Sequence, residues 1–384
     1  MKKLLCLMTA LILFAAACSA AAPAVPPSAT PQPVTPTPAV PSDTPTSAPT
    51  ATPAYPAAGY GPTGFPDNVD PLTGLQVSDP ALLARRPLAI KISNLPRDIR
   101  PQFGLSLADL TFEYYTEEGS TRFISVFLGN NAARVGPIRS ARFFDVNVVR
   151  GYKAVFAFGY AYIAELQRLY SSEFADRLVV EGPGTPLTRY DPNGMNSLVV
   201  NTADLSAYIT QQGVENGRQN LDGMLFNQAA PAGGEAVTQV YVRYSSAIYN
   251  RWDYDPASGT WARSSDAADD LTNGQAEQYA AQTDGLTGKP VAYDNLVVLY
   301  VPHELYAPGI YDILLSGSGP AVAFRDGQAY PLTWDRTDSG VVTLANADGS
   351  AFAMKPGNTW FEVIGSGSTV AKNGTSWRFT HFMP

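Results

Sequence analysis

Between Ser19 and Pro66 the chain carries a single charged side chain, Asp43, while proline returns every few residues among Ala, Thr and Ser. Such a stretch cannot bury enough apolar surface to offset the entropy of ordering its backbone, which predicts a disordered linker over residues 18–66. Proline stiffness favours extended polyproline II at roughly 3.1 Å per residue, so the linker could hold a folded body up to about 150 Å from its anchor. Globular structure is thereby confined to residues 67–384. The Thr-Pro pattern also suits O-glycosylation on compositional grounds.

Ahead of the linker, Lys2 and Lys3 precede an uncharged apolar run, Leu4–Ala17. The run is too short to span a bilayer as a helix, for which about 20 residues are needed. Positive charge followed by a short apolar run marks residues 1–17 as a signal peptide. The run ends Ala15-Ala16-Ala17-Cys18, which resembles the bacterial lipoprotein box, with Ala15 standing where Leu or Val is favoured. That resemblance implies cleavage before Cys18 and a diacylglyceryl group on its sulfur. The alternative is an ordinary signal cut nearby with Cys18 unmodified. On the first reading the protein is extracytoplasmic and lipid-anchored to the bacterial cell membrane, its one membrane contact being the lipid. No later run is long and apolar enough to span a bilayer.

Composition narrows the chemistry. Lys+Arg number 26 against Asp+Glu 34, a formal charge of −8, so the basic stripe that a nucleic-acid partner requires is missing. Cys6 and Cys18 are the only cysteines, and His303 and His381 the only histidines. Thiolate zinc clusters, disulfide frameworks, C-x-x-C pairs and two-histidine metal helices are excluded by counting. No cofactor and no metal is implied.

Residues 67–384 exceed one ordinary core, and the Ala-Ala-Pro-Ala-Gly-Gly-Glu-Ala stretch at 229–236 reads as a break. The expected fold class is α+β, with an N-terminal mixed α/β domain at 67–230, a mainly antiparallel β domain at 237–365 and a tail at 366–384. Alternation over Leu88–Ser93 predicts a strand, and Leu110–Glu117 with Arg122–Leu128 a hairpin. Arg139–Arg150, Tyr162–Phe174 and Thr202–Gln211 read as helices, and Tyr152–Phe158 as a buried strand. After the break, short alternating runs with Asp326-Gly327 and Asp348-Gly349 turns predict a sandwich or partly open barrel. The tail beyond Gly365 reads as a Gly/Ser linker with no assigned structure.

The densest polar stretch lies between Arg97 and Arg142. On a strand from Leu110, Glu113 and Glu117 would share one face, and a hairpin would return Arg122 to that acidic end. One reading is a cleft in which Arg100, Asp109, Arg122, Arg134, Arg139, Ser140 and Arg142 bind an anionic or hydroxyl-rich ligand, with Glu113 or Glu117 as weak candidates for an acid or base. The other is that these acids and arginines neutralise one another across a half-buried sheet. Ser140 has no nucleophile elbow around it and reads as a helix N-terminal hydroxyl. Gly182-Pro183-Gly184 is a turn, because no Lys-Ser/Thr follows. Neither His303, at a strand end, nor His381, in the tail, reads as catalytic. Trp252, Trp261, Trp334 and Trp360 could stack on sugars but read better as packing.

Asp70-Pro71-Leu72-Thr73-Gly74-Leu75, Arg100-Pro101-Gln102, Glu117-Glu118-Gly119-Ser120-Thr121-Arg122-Phe123 and Gly136-Pro137-Ile138-Arg139-Ser140-Ala141-Arg142 resemble the N-terminal domain of the YerB-like bacterial lipoproteins. Asn295-Leu296-Val297-Val298, Thr333-Trp334 and Pro356-Gly357-Asn358-Thr359-Trp360 resemble that family's C-terminal domain. The resemblance implies a secreted or lipid-anchored protein with a domain of unknown function, and assigns no reaction. Where family members show His-Asn-Leu, this chain reads Asn196-Ser197-Leu198, which weighs against an enzyme reading. The functional expectation is a cell-envelope lipoprotein that binds a ligand or partner, either a cell-wall polymer or an envelope protein. The alternative is an envelope enzyme acting on a cell-wall glycan or phosphate-bearing polymer through paired carboxylates and the Arg cluster.

Overall fold

The structure is a computed structural model that describes residues 55–383. The signal peptide, Cys18 and the linker as far as residue 54 lie outside the described residues. The expected linker gives up its last residues to the fold, because Tyr60 pairs with Phe226 through both backbone groups, at 2.9 and 2.8 Å. Gly59 permits this approach, since a Cβ there would stand 1.9 Å from the Phe226 carbonyl oxygen.

Strands dominate. In chain order they include β1 (Leu88–Ser93), β2 (Leu110–Tyr115), β3 (Thr121–Phe127), β4 (Val155–Phe158), β5 (Leu178–Val180), β6 (Gln239–Arg243), β7 (Tyr249–Asp255) and β8 (Thr260–Asp266). There follow β9 (Asn295–Val301), β10 (His303–Ala307), β11 (Ile310–Ile313), β12 (Gly317–Arg325), β13 (Gln328–Arg336) and β14 (Thr343–Ala345). The last three are β15 (Thr359–Gly365), β16 (Thr369–Asn373) and β17 (Ser376–Thr380). The described α-helices are short: α1 (Asp145–Gly151), α2 (Ile163–Tyr170) and α3 (Thr202–Gln211).

An eleven-stranded sheet runs β14-β13-β12-β9-β15-β2-β3-β1-β4-β5, with Glu235–Ala236 added against β13. At its centre β9, β15 and β2 are parallel and in register, Asn295 and Leu110 both opposite Thr359. Strands from before and after the expected break at 229–236 therefore lie in one sheet, and the described residues form a single compact unit. One face of this sheet packs Phe112, Ile124, Phe156, Val297 and Phe361 against Val148 and Val149 of α1 and Leu169 of α2. The other face packs Ile90, Phe123, Leu296 and Trp360 against α3 and against a seven-stranded sheet built around β8-β7-β6-β17-β16. The α+β expectation thus holds only coarsely. The fold is mostly β in mixed sheets, because strands covered on both faces leave few surfaces for helices to line.

Two local expectations fail for tertiary reasons. Arg139–Arg150 was expected to be one helix, but Arg139 and Ala141 donate their amides to Lys91 and Tyr160 at 3.2 and 2.7 Å, so helix starts only at Asp145. The unassigned tail is β16 and β17, a hairpin whose second strand runs parallel to β6. It buries Trp377 and Phe379, and Trp252, Trp261, Trp334 and Trp360 are likewise fully buried, so they are core and not sugar platforms.

The two sheets are joined through a sealed polar network around Glu113. Its carboxylate meets Arg263 of β8 at 2.6 Å and accepts from Thr121, Asn94 and Asn250 at 2.7, 3.2 and 3.2 Å. Glu362 of β15 stands opposite Glu113 and takes Trp252 Nε1 and Tyr244 Oη at 2.9 Å each. One arginine cannot neutralise two carboxylates, and burial together with Glu113 pushes Glu362 up to about 8. A protonated Glu362 can donate to Tyr244, whose own proton then goes to the Glu113 carbonyl at 3.1 Å.

Two outcomes follow. Trp377→Ala is expected to cost about 3–5 kcal/mol in urea unfolding, as a core residue does, whereas a loosely appended tail would move stability by under about 0.5 kcal/mol. A carboxyl whose folded pKa lies above its unfolded value binds more protons when folded, so its contribution falls as pH rises through that window. In thermal unfolding, the stability of the wild type relative to Glu362→Gln should therefore fall as pH rises from about pH 5 to pH 8, and a difference that stays constant with pH would contradict the protonated Glu362.

Candidate functional site

β9, β15, β2, β1, β4 and β5 all point the same way, so their carboxyl ends share one edge of the large sheet. The carboxyl ends of aligned strands are where such sheets gather ligands, since the loops leaving them diverge and leave a crevice. The segment Gly136–Arg142 crosses this edge. It is pinned by Ser93 donating to Pro137 at 2.9 Å and by Gly159 donating to Arg139 at 3.0 Å. Alternate side chains of the crossing segment then project along the edge.

Here the structure gathers Glu117, Arg122, Arg139, Ser140 and Arg142. Arg122 reaches Glu117 Oε1 at 2.8 Å and the Ser140 carbonyl at 2.9 Å. Arg142 grips Glu117 through both Nε, at 2.7 Å, and Nη2, and stands 3.6 Å from Glu165. Burial alone would raise Glu117, but its bonds to Arg142 and Arg122 hold it below the usual carboxylate range. Burial raises Glu165, and burial with the neighbouring Arg142 draws Arg122 down to about 10. Ser140 contributes its carbonyl and is no helix cap, since α1 begins later.

Arg139 differs from its neighbours. Its Nε donates to Ser93 Oγ at 3.3 Å, and no carboxylate lies within ion-pair distance among the described residues. Its half-buried guanidinium lines two clefts. One, of about 490 Å³, runs over Ser93, Arg97, Glu117, Ser120 and Arg122; the other, of about 300 Å³, borders Arg189 and Met195. Glu117 and Arg142 also border a third cleft of about 180 Å³, walled by Tyr115, Tyr162 and Tyr311.

Beneath the arginines lies a group that sequence reasoning missed. Lys91 is fully buried, touches the Tyr114 hydroxyl and stands 3.1 Å from Asp145, while Tyr114 donates to Asp145 at 2.6 Å. Burial lowers Lys91 to about 7 despite Asp145. The available signal was a charged lysine inside the alternating run Leu88–Ser93.

The remaining expected site residues are elsewhere. Glu113 lies on the opposite face of the sheet from the Glu117 cluster, sealed against Arg263. The shared face expected for Glu113 and Glu117 fails because β2 ends at Tyr115 and Glu117 belongs to the turn. Arg100 is bound to Asp266 at 3.2 Å and to its carbonyl at 2.6 Å. Arg134 is exposed and lies over the rings of Phe103 and Tyr190, at 5.1 and 5.9 Å. Asp109 caps the chain after β3 by accepting from Gly129 at 3.0 Å, at the far end of β2. His303 and His381 do meet, their rings 5.2 Å apart, but burial lowers them to about 4 and about 3, so they stay neutral. Among the described residues no three His, Cys, Asp or Glu side chains converge as a ready metal-ligand set.

The sequence and the fold each have a counterpart among known proteins. Over 302 residues the chain is 28% identical to "Putative lipoprotein YerB" of Bacillus subtilis, covering 77% of this chain and 85% of that protein. The crystal structure of Bacillus subtilis YerB superposes with a TM-score of 0.64 at 26% identity, covering 77% of this chain and 96% of the other. Residues 72–215 match the N-terminal domain and residues 240–361 the C-terminal domain of the protein of unknown function DUF3048, and the chain therefore belongs to the DUF3048 family.

Proposed function

We propose that this protein is an envelope lipoprotein, anchored through Cys18 and a proline-rich stalk, whose Arg122/Arg139/Arg142 edge binds the phosphate or carboxylate groups of a cell-wall polymer. The observation that carries the reading is Arg139, a cation that has no carboxylate partner among the described residues and borders two clefts at once. At this edge Arg122 and Arg142 share Glu117, Arg142 also stands beside Glu165, and Glu118 and Asp269 line the larger cleft, which leaves Arg139 as the guanidinium of the three without an ion pair among the described residues. Guanidinium groups suit such ligands because they donate paired, coplanar hydrogen bonds. The tyrosine-walled cleft beyond Glu117 offers ring faces and hydroxyls for an adjoining sugar.

Binding is favoured over catalysis because the two candidate acid/base residues are engaged. Glu113 is sealed between sheets, and Glu117 is clamped by two guanidinium groups. Anchoring rests on the leader and on the lipoprotein name carried by the Bacillus relative. Among the described residues no helix is long and apolar enough to cross a membrane.

Two measurements test this reading. Cys18→Ser should move the protein from the membrane fraction to the soluble fraction, and unchanged fractionation would contradict lipidation. In that soluble background, Arg139→Ala should weaken retention on immobilised anionic wall polymer by about tenfold or more, and added NaCl should weaken the parent protein too. Equal retention of parent and variant would remove the arginine edge from the function.

A further inference from the structure

At the amino ends of the same central strands lies a second polar site of opposite character. Asp109, Asn358 and Asp294 immediately precede Leu110, Thr359 and Asn295, the residues that stand in register where β2, β15 and β9 begin. Across from them, Asp70 is fully buried in the turn that leads into the fold. These residues, with Thr73, Ser106 and Asn130, line a cleft of about 440 Å³ whose donors are mostly oxygen atoms.

Asp70 and Asp109 converge on Gly129. Asp109 Oδ2 accepts the Gly129 amide at 3.0 Å, and a Cβ on Gly129 would stand 2.4 Å from Asp70 Oδ2. Asp70 Oδ1 accepts from Leu72 at 2.8 Å, whereas Asp70 Oδ2 is buried near the Gly129 amide and the Thr73 hydroxyl but receives no well-aligned hydrogen bond among the described residues. Asp109 Oδ1 has only Asn130 Nδ2, at 3.5 Å. Neither carboxylate forms an ion pair among the described residues. The adjacent Arg85 spends its guanidinium on Asn131 Oδ1 and the Asn130 carbonyl, at 2.8 and 3.1 Å, and Lys355 lies with Asp294 at 3.4 Å. Burial and the charge of Asp109 raise Asp70 well above the usual carboxylate range, and burial raises Asp109 to about 6. Two buried carboxylates side by side with an unused oxygen need either a proton or a cation between them.

We infer that this cleft binds a hard divalent cation, calcium or magnesium, held by Asp70 Oδ2 and Asp109 Oδ1 with hydroxyl, amide and water oxygens completing its shell. The donor set fits oxygen-seeking ions and offers no nitrogen or sulfur for zinc or copper. Calcium fits best, because it tolerates irregular shells in which few ligands are carboxylates. The ion would tie the Asp70 turn to the start of β2, beside the strands contributed by the second half of the chain. This site is separate from the arginine edge and does not depend on its function.

The test is thermal unfolding of the full chain carrying Cys18→Ser, after EDTA treatment and dialysis, with CaCl2 or MgCl2 added at constant ionic strength. An ion present at about a hundred times its Kd should raise Tm by about 5 °C, and Asp70→Asn and Asp109→Asn should each abolish that rise. No rise with either salt, or a rise that both variants keep, overturns the site. Should a variant fail to fold, calorimetric titration of CaCl2 and then MgCl2 into the parent chain decides: saturation near one equivalent supports the site, and absence of binding heat with both ions overturns it.

Discussion

The parallel register of β9, β15 and β2 is the constraint on which the rest of the molecule depends. Thr359 faces Asn295 on one side and Leu110 on the other, so a strand from the second half of the chain is completed by one from the first. Neither half has a finished sheet alone, because each would expose a row of unpaired backbone groups at this seam. The two family segments are thus parts of one sheet. Parallel strands also have to be covered on both faces, which explains the helical layer on one side and the second sheet on the other.

Strand direction then sorts the charges. Aligned carboxyl ends collect Arg122, Arg139 and Arg142, while the amino ends collect Asp70, Asp109 and Asp294. Between these edges the interior handles ionic groups by pairing or by protonation. Lys91 is offset by Asp145 and Tyr114, Glu113 by Arg263, and Glu362 by taking a proton. Arg139 and Asp70, neither of which has an ion-pair partner among the described residues, are the residues on which the two functional proposals rest. Asp70 is buried with one carboxyl oxygen left over, an arrangement a bound ligand would relieve, whereas half-buried Arg139 opens onto two clefts.

Much of the fold was legible. Alternation placed Leu88–Ser93 with its observed bounds, and the Leu205, Ile209 spacing placed α3 over Thr202–Gln211. The β2–β3 hairpin and the Asp326-Gly327 turn were readable because their chemistry is local. The site was legible only in composition. The crowding of arginines near Arg139 was visible, but their grouping was not, since Arg100, Arg134 and Asp109 are drawn off by Asp266, Phe103 and Gly129 from distant or opposite parts of the fold. Ser-Trp-Arg-Phe-Thr at the chain's end carried a period-two pattern that a short tail concealed.

By itself, the sequence determined the secretory leader pattern, the proline-rich stretch, the predominance of short strands in the second half and the scarcity of soft metal ligands. These depend on composition and on neighbours a few residues apart. Tertiary structure alone decided that both halves share a sheet, that Glu113 is sealed while Arg139 is open, and that Asp70 meets Asp109. Those outcomes depend on strand register and direction. Alternation shows which residues share a face, but it does not say which strand lies beside it or whether that face meets water.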